Sequence, residues 1–207
     1  IAGHTVGVIG FGNIGRAFTL RMRGFGPANI IAHDPYVPQT TADLLGVQLV
    51  SLEELLKQSD YVSIHTALTE ETRHLINADT LKLMKPTAML VNTSRGPVID
   101  GDALASALKS GTIEAAALDV TEVEPVESHD PLLSLPNVIV TPHLAGFSPT
   151  FLEECPIRQA ENIIRVLTGS APWGLANPDV IKTIAVLRGS DSSRWQGIPD
   201  FSSPIAT

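Results

Sequence analysis

Four short polar stretches each follow an apolar run, and their side chains are of the kinds that bind anions and move protons. They are His65-Thr66, Thr93-Ser94-Arg95-Gly96, Asp119 and Thr141-Pro142-His143. The Arg95 guanidinium has forked donors that suit the oxygens of a carboxylate or a carbonyl. The His143 imidazole can deliver a proton near neutral pH, and Glu124 can be the carboxylate that holds its ring in one tautomer.

Each of these residues also has a simpler interpretation when it is taken alone. The simpler roles are a surface ion-pair partner for Arg95, a helix or turn cap for Asp119, a loop histidine for His143 and a solvated charge for Glu124. Their shared position favours a functional role, because the carboxyl ends of parallel strands meet along one edge of a sheet. We therefore expect chemistry that binds a carboxylate, polarises a carbonyl and protonates its oxygen.

A glycine-rich turn near the start of the chain predicts a dinucleotide cofactor for this chemistry. An apolar run at 5–9 leads into Gly-x-Gly-x-x-Gly and then into helix-forming residues. Gly10 lets the chain turn sharply, Gly12 leaves room for a pyrophosphate, and Gly15 lets the helix lie close to the strand. The amide groups and positive dipole end of the first helical turn then face the phosphates.

The second apolar run, 29–33, ends in Asp34. Its carboxylate can accept hydrogen bonds from the ribose hydroxyls of an adenosine, although an Asp before Pro35 is also typical of a turn. The order of strand, glycines, helix, strand and acid favours the dinucleotide. We expect NAD rather than NADP, because Asp34 would repel a 2′-phosphate and no arginine follows it.

Alternating strand and helix patterns predict an α/β fold with a doubly wound parallel sheet of the Rossmann type. Strands are expected at 5–9, 29–33, 47–50, 61–65, 87–92, 114–119 and 138–141. The expected sheet order is 3-2-1-4-5-6 with a further strand added. This arrangement places the four polar stretches on the carboxyl edge of the sheet.

Capping residues mark where helices are expected to begin. Side chains that can cap a helix occur at Ser51, Asn77, Asp100 and Ser148. Ser51 opens a predicted capping box, and Gly111 is expected to stop the helix that Asp100 starts. The last helix is expected to run toward Leu167, and Pro156 within it predicts a kink or a later beginning.

Composition limits the classes of partner. The chain has 207 residues, 43% of them hydrophobic, and a formal net charge of −8 without a cluster of basic residues, so we expect a globular protein that does not bind nucleic acid. Its apolar runs are too short to span a bilayer and Ile1–His4 does not resemble a signal peptide, so we expect no membrane partner and a cytoplasmic location. A single cysteine, Cys155, excludes an internal disulfide. No metal site is expected.

Together, the motifs resemble the NAD-binding domain of the D-isomer-specific 2-hydroxyacid dehydrogenases, a family that includes the phosphoglycerate dehydrogenases. The resemblance covers roughly Gly3 to Asp179. It rests on Val6–Gly15, His65–Asn77, Asn92–Gly96, Ala117–Pro125 and Thr141–Gly146. It implies hydride transfer between NAD(H) and a small D-2-hydroxy acid or 2-keto acid, in a homodimer.

The resemblance also implies which residues do this. The catalytic set would be Arg95, Glu124 and His143. The cofactor contacts would be Gly10, Gly12, Asn13, Ile14, Gly15, Asp34, His65, Thr66, Thr93, Ser94, Arg95, Asp119, His143, Ala145 and Gly146. Asp119 is expected to accept a hydrogen bond from the nicotinamide carboxamide.

The family builds a second, substrate-binding domain largely from a segment before the glycine turn. We therefore expect 1–169 to be the NAD-binding domain and 170–207 to be a return segment and tail, a remnant of the substrate domain. These residues alone are expected to bind NAD with little turnover. One alternative is a corepressor-like module that senses NAD without catalysis. A lysine-dependent β-hydroxyacid dehydrogenase ranks lower, since no lysine lies at a matching strand end.

Overall fold

The computed structural model describes residues 1–168 and 170–183. The chain divides into two compact units, Ile1–Ala145 and Gly146–Thr207. The expected domain boundary at residue 169 stays a prediction. Most of the expected tail lies outside the described residues.

A seven-stranded parallel sheet forms the centre of the first unit. Its strands are β1 Thr5–Ile9, β2 Asn29–His33, β3 Gln48–Leu49, β4 Tyr61–Ile64, β5 Met89–Asn92, β6 Ala115–Leu118 and β7 Val138–Val140. The order is β3-β2-β1-β4-β5-β6-β7. The predicted fold class, strand positions and sheet order are therefore confirmed, with strand ends that differ by one or two residues.

Five helices connect the strands of this sheet. They are α1 Asn13–Met22, α2 Gln39–Asp43, α3 Leu52–Gln58, α4 Ala78–Leu81 and α5 Gly101–Ser110. Short 3-10 turns lie at Arg23–Phe25, Gly96–Val98 and Pro131–Ser134. Asp100 caps α5 through Ala103 N at 2.9 Å, and Gly111 ends it in the left-handed conformation, as predicted.

The predicted capping box at Ser51 is only half formed. Ser51 Oγ accepts from Glu54 N at 3.1 Å, but the Glu54 carboxylate accepts from Gln58 one turn further along α3. A complete box forms at Asn77, which accepts from Thr80 N at 3.2 Å while Thr80 Oγ1 accepts from Asn77 N at 2.7 Å. A threonine therefore takes the place that the motif assigns to glutamate or glutamine.

Two apolar clusters cover the two faces of the sheet. Because side chains alternate along a strand, Val6 and Val8 belong to the cluster with α1 and α2, whereas Ile9 belongs to the larger cluster with α3, α4 and α5. The larger cluster includes Leu55 and Leu90, both fully buried. Burial of each such side chain contributes about 1.5–3 kcal/mol. This packing fixes the strand ends that carry the polar stretches.

The second unit begins with a long helix, α6 Pro149–Leu167. Ser148 Oγ caps it by accepting from Phe151 N at 3.1 Å. The helix therefore begins before Pro156, and the expectation of a later beginning is wrong. Nineteen residues make α6 the longest helix in the described part of the chain, and no helix there is both long and apolar enough to cross a membrane.

Candidate active site

The glycine turn joins β1 to α1 at a point where side chains do not fit. Gly10 has a φ of 88°, and a Cβ there would lie 2.6 Å from the backbone nitrogen of Thr66. A Cβ on Gly15 would overlap the carbonyl oxygen of Gly10. Beside Gly12 the space is open, because a Cβ on this residue would have no neighbouring atom within 4 Å. The turn is therefore tight on the protein side and open on the side where a phosphate would bind.

Helix α1 begins at Asn13, directly after Gly12. The Arg16 guanidinium lies back along this first turn, where it donates to Asn13 Oδ1 at 2.8 Å and to Gly12 O at 3.2 Å. A cation at a helix N-terminus opposes the helix dipole, but it complements a bound anion. Sequence reasoning missed Arg16, although a basic residue directly after the third glycine is a readable signal.

Asp34 lies at the end of β2 beside this turn. Its Oδ2 accepts from Phe11 N at 2.8 Å, and its Oδ1 accepts from Tyr36 N at 2.9 Å. The carboxylate thus makes the turn contact expected of an Asp before proline and also holds the glycine turn. Each oxygen retains acceptor capacity for a ribose hydroxyl.

A cavity of about 500 Å³ adjoins the glycine turn. Six of the predicted cofactor residues line it: Ile14, His65, Thr66, Thr93, Ser94 and Arg95. The His65 ring packs against Phe18 of α1, with centroids 4.8 Å apart, and its Nε2 lies 2.9 Å from Ser63 Oγ. Burial lowers the pKa of His65 to about 4. His65 is therefore neutral at pH 7 and supports the turn by packing rather than by charge.

The loop after β5 is ordered by Asn92, which sequence reasoning did not single out. Its side chain is fully buried. Its Oδ1 accepts from the backbone nitrogen and the hydroxyl of Ser94 at 2.9 and 2.8 Å, while its Nδ2 donates to Arg95 O at 3.0 Å. These bonds bury Ser94 and leave Thr93 and Arg95 exposed. A buried amide at the end of an apolar strand is the signal that points to such a role.

Asp119, directly after β6, orders the loop that carries His143. Its Oδ1 accepts from Thr141 Oγ1 at 2.5 Å and Leu144 N at 2.8 Å, and its Oδ2 accepts from Ala145 N at 2.8 Å. Burial by itself would raise the pKa of Asp119, but these hydrogen bonds, led by that from Thr141, bring it below its ordinary value. Asp119 is thus a buried anion held by three donors. Its expected contact with a carboxamide stays a prediction.

The structure brings His143 and Glu124 together. His143 has a φ of 56° and donates its backbone N–H to Asp119 O at 2.8 Å. Its Nδ1 lies 3.0 Å from Glu124 Oε2, while Glu124 Oε1 accepts from Thr121 N at 3.3 Å. An ionised carboxylate only accepts hydrogen bonds, so Nδ1 carries the proton and Nε2 is available to another partner.

Two more cavities continue the first along the carboxyl edge of the sheet. One of about 340 Å³ is lined by Thr93, Asp119 and Ala145 among others, and one of about 580 Å³ is lined by Asp119, Glu124 and His143. Shared residues make the three cavities neighbours. The edge from Ile14 to His143 can therefore hold an extended ligand beside a proton-transfer pair. Gly146, the last predicted contact, begins the second unit.

Comparison with known proteins gives the family. A family model described as D-isomer specific 2-hydroxyacid dehydrogenase, NAD binding domain, matches residues 1–145. The chain is 46% identical over 182 residues to a glyoxylate reductase of Korarchaeum cryptofilum, covering 88% of this chain and 54% of that protein. It is 44% identical over 176 residues to a D-3-phosphoglycerate dehydrogenase of Methanocaldococcus jannaschii, covering 84% and 33%.

A solved structure agrees with these relatives. The holo form of D-mandelate dehydrogenase from Rhodotorula graminis matches with a TM-score of 0.75 and 36% identity, over 84% of this chain and 52% of that one. The chain spans a third to about half the length of these relatives. The chain therefore belongs to the D-isomer-specific 2-hydroxyacid dehydrogenases, and it contains their NAD-binding domain.

Proposed function

We propose that the protein catalyses hydride transfer between NAD(H) and a small D-2-hydroxy acid or 2-keto acid. The observation that carries this proposal is the hydrogen bond between His143 Nδ1 and Glu124 Oε2, 3.0 Å long, on the same sheet edge as the glycine turn. A proton donor beside a dinucleotide site is what reduction of a carbonyl to an alcohol requires.

The residues at the turn fit a dinucleotide. Side chains at Gly10 or Gly15 would fill the space that lets strand and helix approach, and the open side of Gly12 leaves room for a pyrophosphate. Asn13, Ile14 and Arg16 would border the phosphates, and Asp34 the ribose. When bound, NAD supplies the hydride chemistry, whereas the residues of the chain position the substrate and deliver the proton.

We assign the remaining roles from charge and exposure. Arg95, exposed on the loop after β5, would bind the substrate carboxylate and polarise the carbonyl. His143 would present Nε2 to the substrate oxygen and, when protonated, deliver the proton. Glu124 would hold the ring and stabilise its charged form, while Asp119 keeps the loop in place.

Names of relatives suggest the substrates to try. The similar proteins named above act on glyoxylate, 3-phosphoglycerate and D-mandelate. The test is an assay with NADH and glyoxylate, pyruvate, phenylglyoxylate or phosphohydroxypyruvate, made on the protein at its full encoded length, beside the Korarchaeum cryptofilum enzyme. Oxidation of NADH that depends on one of these keto acids supports the proposal. NADH binding without turnover by the full-length protein would support the corepressor-like alternative, which no feature of the described residues favours.

Three further expectations belong with this proposal. Homodimer formation is tested by light scattering, and a cytoplasmic location by cell fractionation. Little turnover by these 207 residues alone is tested in the same assay. Low turnover is expected because the His143 and Glu124 side chains are half exposed, at 50% and 41%. Water that reaches these side chains weakens their electrostatic effect on the charge that develops in the transition state.

A further inference from the structure

Two histidines in the described residues have a positive φ, and each holds a glutamate of the same loop. His143, at 56°, pairs with Glu124, as described above. His74, at 50°, pairs with Glu122: its Nε2 lies 2.6 Å from Glu122 Oε1. The loop between β6 and Pro125 is therefore held from two directions by the same kind of contact, and only one of these lies at the proposed active site.

Glu122 also binds the start of α5. Its Oε2 accepts from Gly101 N at 3.0 Å, in the first turn of that helix. An amide there has no partner within the helix, and a negative charge is favourable beside it. One carboxylate thus ties the loop to a helix and to His74.

His74 is in turn bound to the segment that follows Arg95. Its backbone nitrogen donates to Pro97 O at 2.9 Å. The two loops also meet directly, because a Cβ on Gly96 would overlap the carbonyl oxygen of Thr121. The spacing between Arg95 and Glu124 is therefore set by contacts that include the His74–Glu122 pair.

We propose that His74 and Glu122 form a positioning pair, which holds the loop of Glu124 against the loop of Arg95 and so keeps Glu124 in hydrogen-bond reach of His143. The pair does not touch the reacting groups; it acts through Glu124. Its importance rests on the proposed function, but its effect on the His143 ring does not depend on turnover.

Exposure makes this role separable from a structural one. The His74 and Glu122 side chains are 39% and 36% exposed, and pairs this accessible contribute little to global stability. Loss of the pair should therefore leave the fold intact while it loosens the loop. The quantity to measure is the tautomer of the neutral His143 ring. The hydrogen bond to Glu124 keeps the proton of this ring on Nδ1.

Four variants of the 207-residue chain test the proposal. Glu122→Ala removes both contacts of the carboxylate. His74→Asn keeps a residue type that tolerates a positive φ but is too short to reach Glu122. Glu122→Gln retains an oxygen for Gly101 N and an N–H for the ring. Glu127→Ala is the matched control, since it removes another His–Glu pair, Glu127–His129 at 2.9 Å.

Long-range ¹H–¹⁵N correlation spectra at mildly alkaline pH measure the tautomers, and a His143→Asn spectrum assigns the signal. We expect Glu122→Ala and His74→Asn to lower the ratio of the Nδ1–H to the Nε2–H form at least about fivefold, as a charge-assisted bond is weakened. Glu122→Gln and Glu127→Ala should keep the wild-type ratio. NADH affinity and melting temperature should be nearly unchanged in all four.

A wild-type ratio in both Glu122→Ala and His74→Asn overturns the proposal, as does an equal change in Glu127→Ala. If Glu122→Ala does not fold, His74→Asn decides alone. Failure of the full-length wild-type protein to reduce any 2-keto acid would count against the proposed function. The tautomer result would stand apart from it.

Discussion

Asp119 and Glu124 lie five residues apart and carry the same functional group, but their surroundings differ. Asp119 is 6% exposed and accepts three hydrogen bonds from the loop of His143. Glu124 is half exposed and divides its oxygens between Thr121 N and the His143 ring. A buried, fully engaged anion fixes structure, whereas an exposed one can respond to the charge of its partner.

Asp119→Asn tests the first of these tasks. The amide offers one acceptor oxygen instead of two, so Leu144 N or Ala145 N loses its partner, and we expect the free energy of unfolding to fall by about 1–3 kcal/mol at neutral pH. The pKa of Asp119 is lowered in the folded state, so its contribution is present above the unfolded pKa and is lost as pH falls through the folded one. Urea unfolding at neutral and acidic pH should show the difference shrinking with acidification; a constant difference would refute this account.

Glu124→Gln and His143→Ala, both made in the complete enzyme, test the second task. Without the negative charge, protonated His143 is less favourable, so the alkaline limb of the pH–rate profile for keto-acid reduction should move to lower pH. His143→Ala should remove most activity, and neither change should alter NADH affinity more than about twofold. An unmoved profile in Glu124→Gln would require another partner for the ring.

Asp34 bears on the choice of cofactor. Its two oxygens are already held by Phe11 N and Tyr36 N, so the carboxylate cannot turn away from a ribose phosphate. We expect NADPH to bind at least about tenfold more weakly than NADH, because like charges at short range oppose binding. Fluorescence titration with both reduced cofactors measures this, and equal affinities would remove Asp34 from the ribose site.

At the scale of elements, α1 combines a favourable ligand site with an unfavourable charge. Arg16 donates to Gly12 O and Asn13 Oδ1, so its charge lies at the positive end of the helix dipole. An anion bound there would compensate this charge. Removal of the Arg16 charge should therefore weaken ligand binding without destabilising the ligand-free chain.

Arg16→Gln should weaken NADH binding by about threefold to thirtyfold, as one charge-assisted contact to phosphate is lost. Without ligand, the variant should be as stable as wild type or more stable by about 0.3–1 kcal/mol. Calorimetric titration and thermal unfolding measure the two effects. Arg21→Gln, at the other end of α1, is the control and should leave NADH affinity unchanged.

Elements also show what local sequence can and cannot predict. The apolar runs and the glycine spacing predicted seven strands and the turn at Gly10, because these features depend on neighbours in the chain. The order of the strands was predicted from the doubly wound fold class. Whether the capping box at Ser51 is complete depends on the partner of the Glu54 carboxylate, which accepts a hydrogen bond from Gln58. The pair of His74 and Glu122 joins residues 48 positions apart, and nothing in their local spacing indicates it. Asn92 was readable in principle, since a buried strand amide needs partners.

At the scale of the first unit, charged groups lie at both edges of the sheet and have different roles. The carboxyl edge holds the exposed groups of the candidate site. The amino edge holds Asp60, whose Oδ1 accepts from Lys85 Nζ at 2.7 Å and whose Oδ2 accepts from Thr5 N at 2.8 Å. The bond from Lys85, followed by that from Thr5, lowers the pKa of Asp60. The Asp60 carboxylate thus joins the start of β1 to Lys85, and the backbone oxygen of Asp60 accepts from Met89 N, at the start of β5, at 2.9 Å.

Asp60→Asn should lower the free energy of unfolding by about 1–2 kcal/mol at neutral pH. The lowered pKa means that the wild-type advantage is complete above the unfolded pKa and disappears as pH falls through the folded one. Thermal unfolding across this acidic range is the measurement. Glu53→Gln, which removes the exposed pair with Lys57, should change stability much less. A pH-independent difference in Asp60→Asn would show that packing alone is responsible.

The tight turn between Gly10 and Gly15 also couples the cofactor to the fold as a whole. β1 lies between β2 and β4, and the turn touches Thr66 after β4 while Asp34 after β2 holds it through Phe11 N. A ligand bound there cannot remain when these strands separate, so it binds the folded state alone. At a free concentration one hundred times its dissociation constant, such a ligand adds about 2.7 kcal/mol to the free energy of unfolding. We therefore expect the supply of NAD to set the fraction of the chain that is folded.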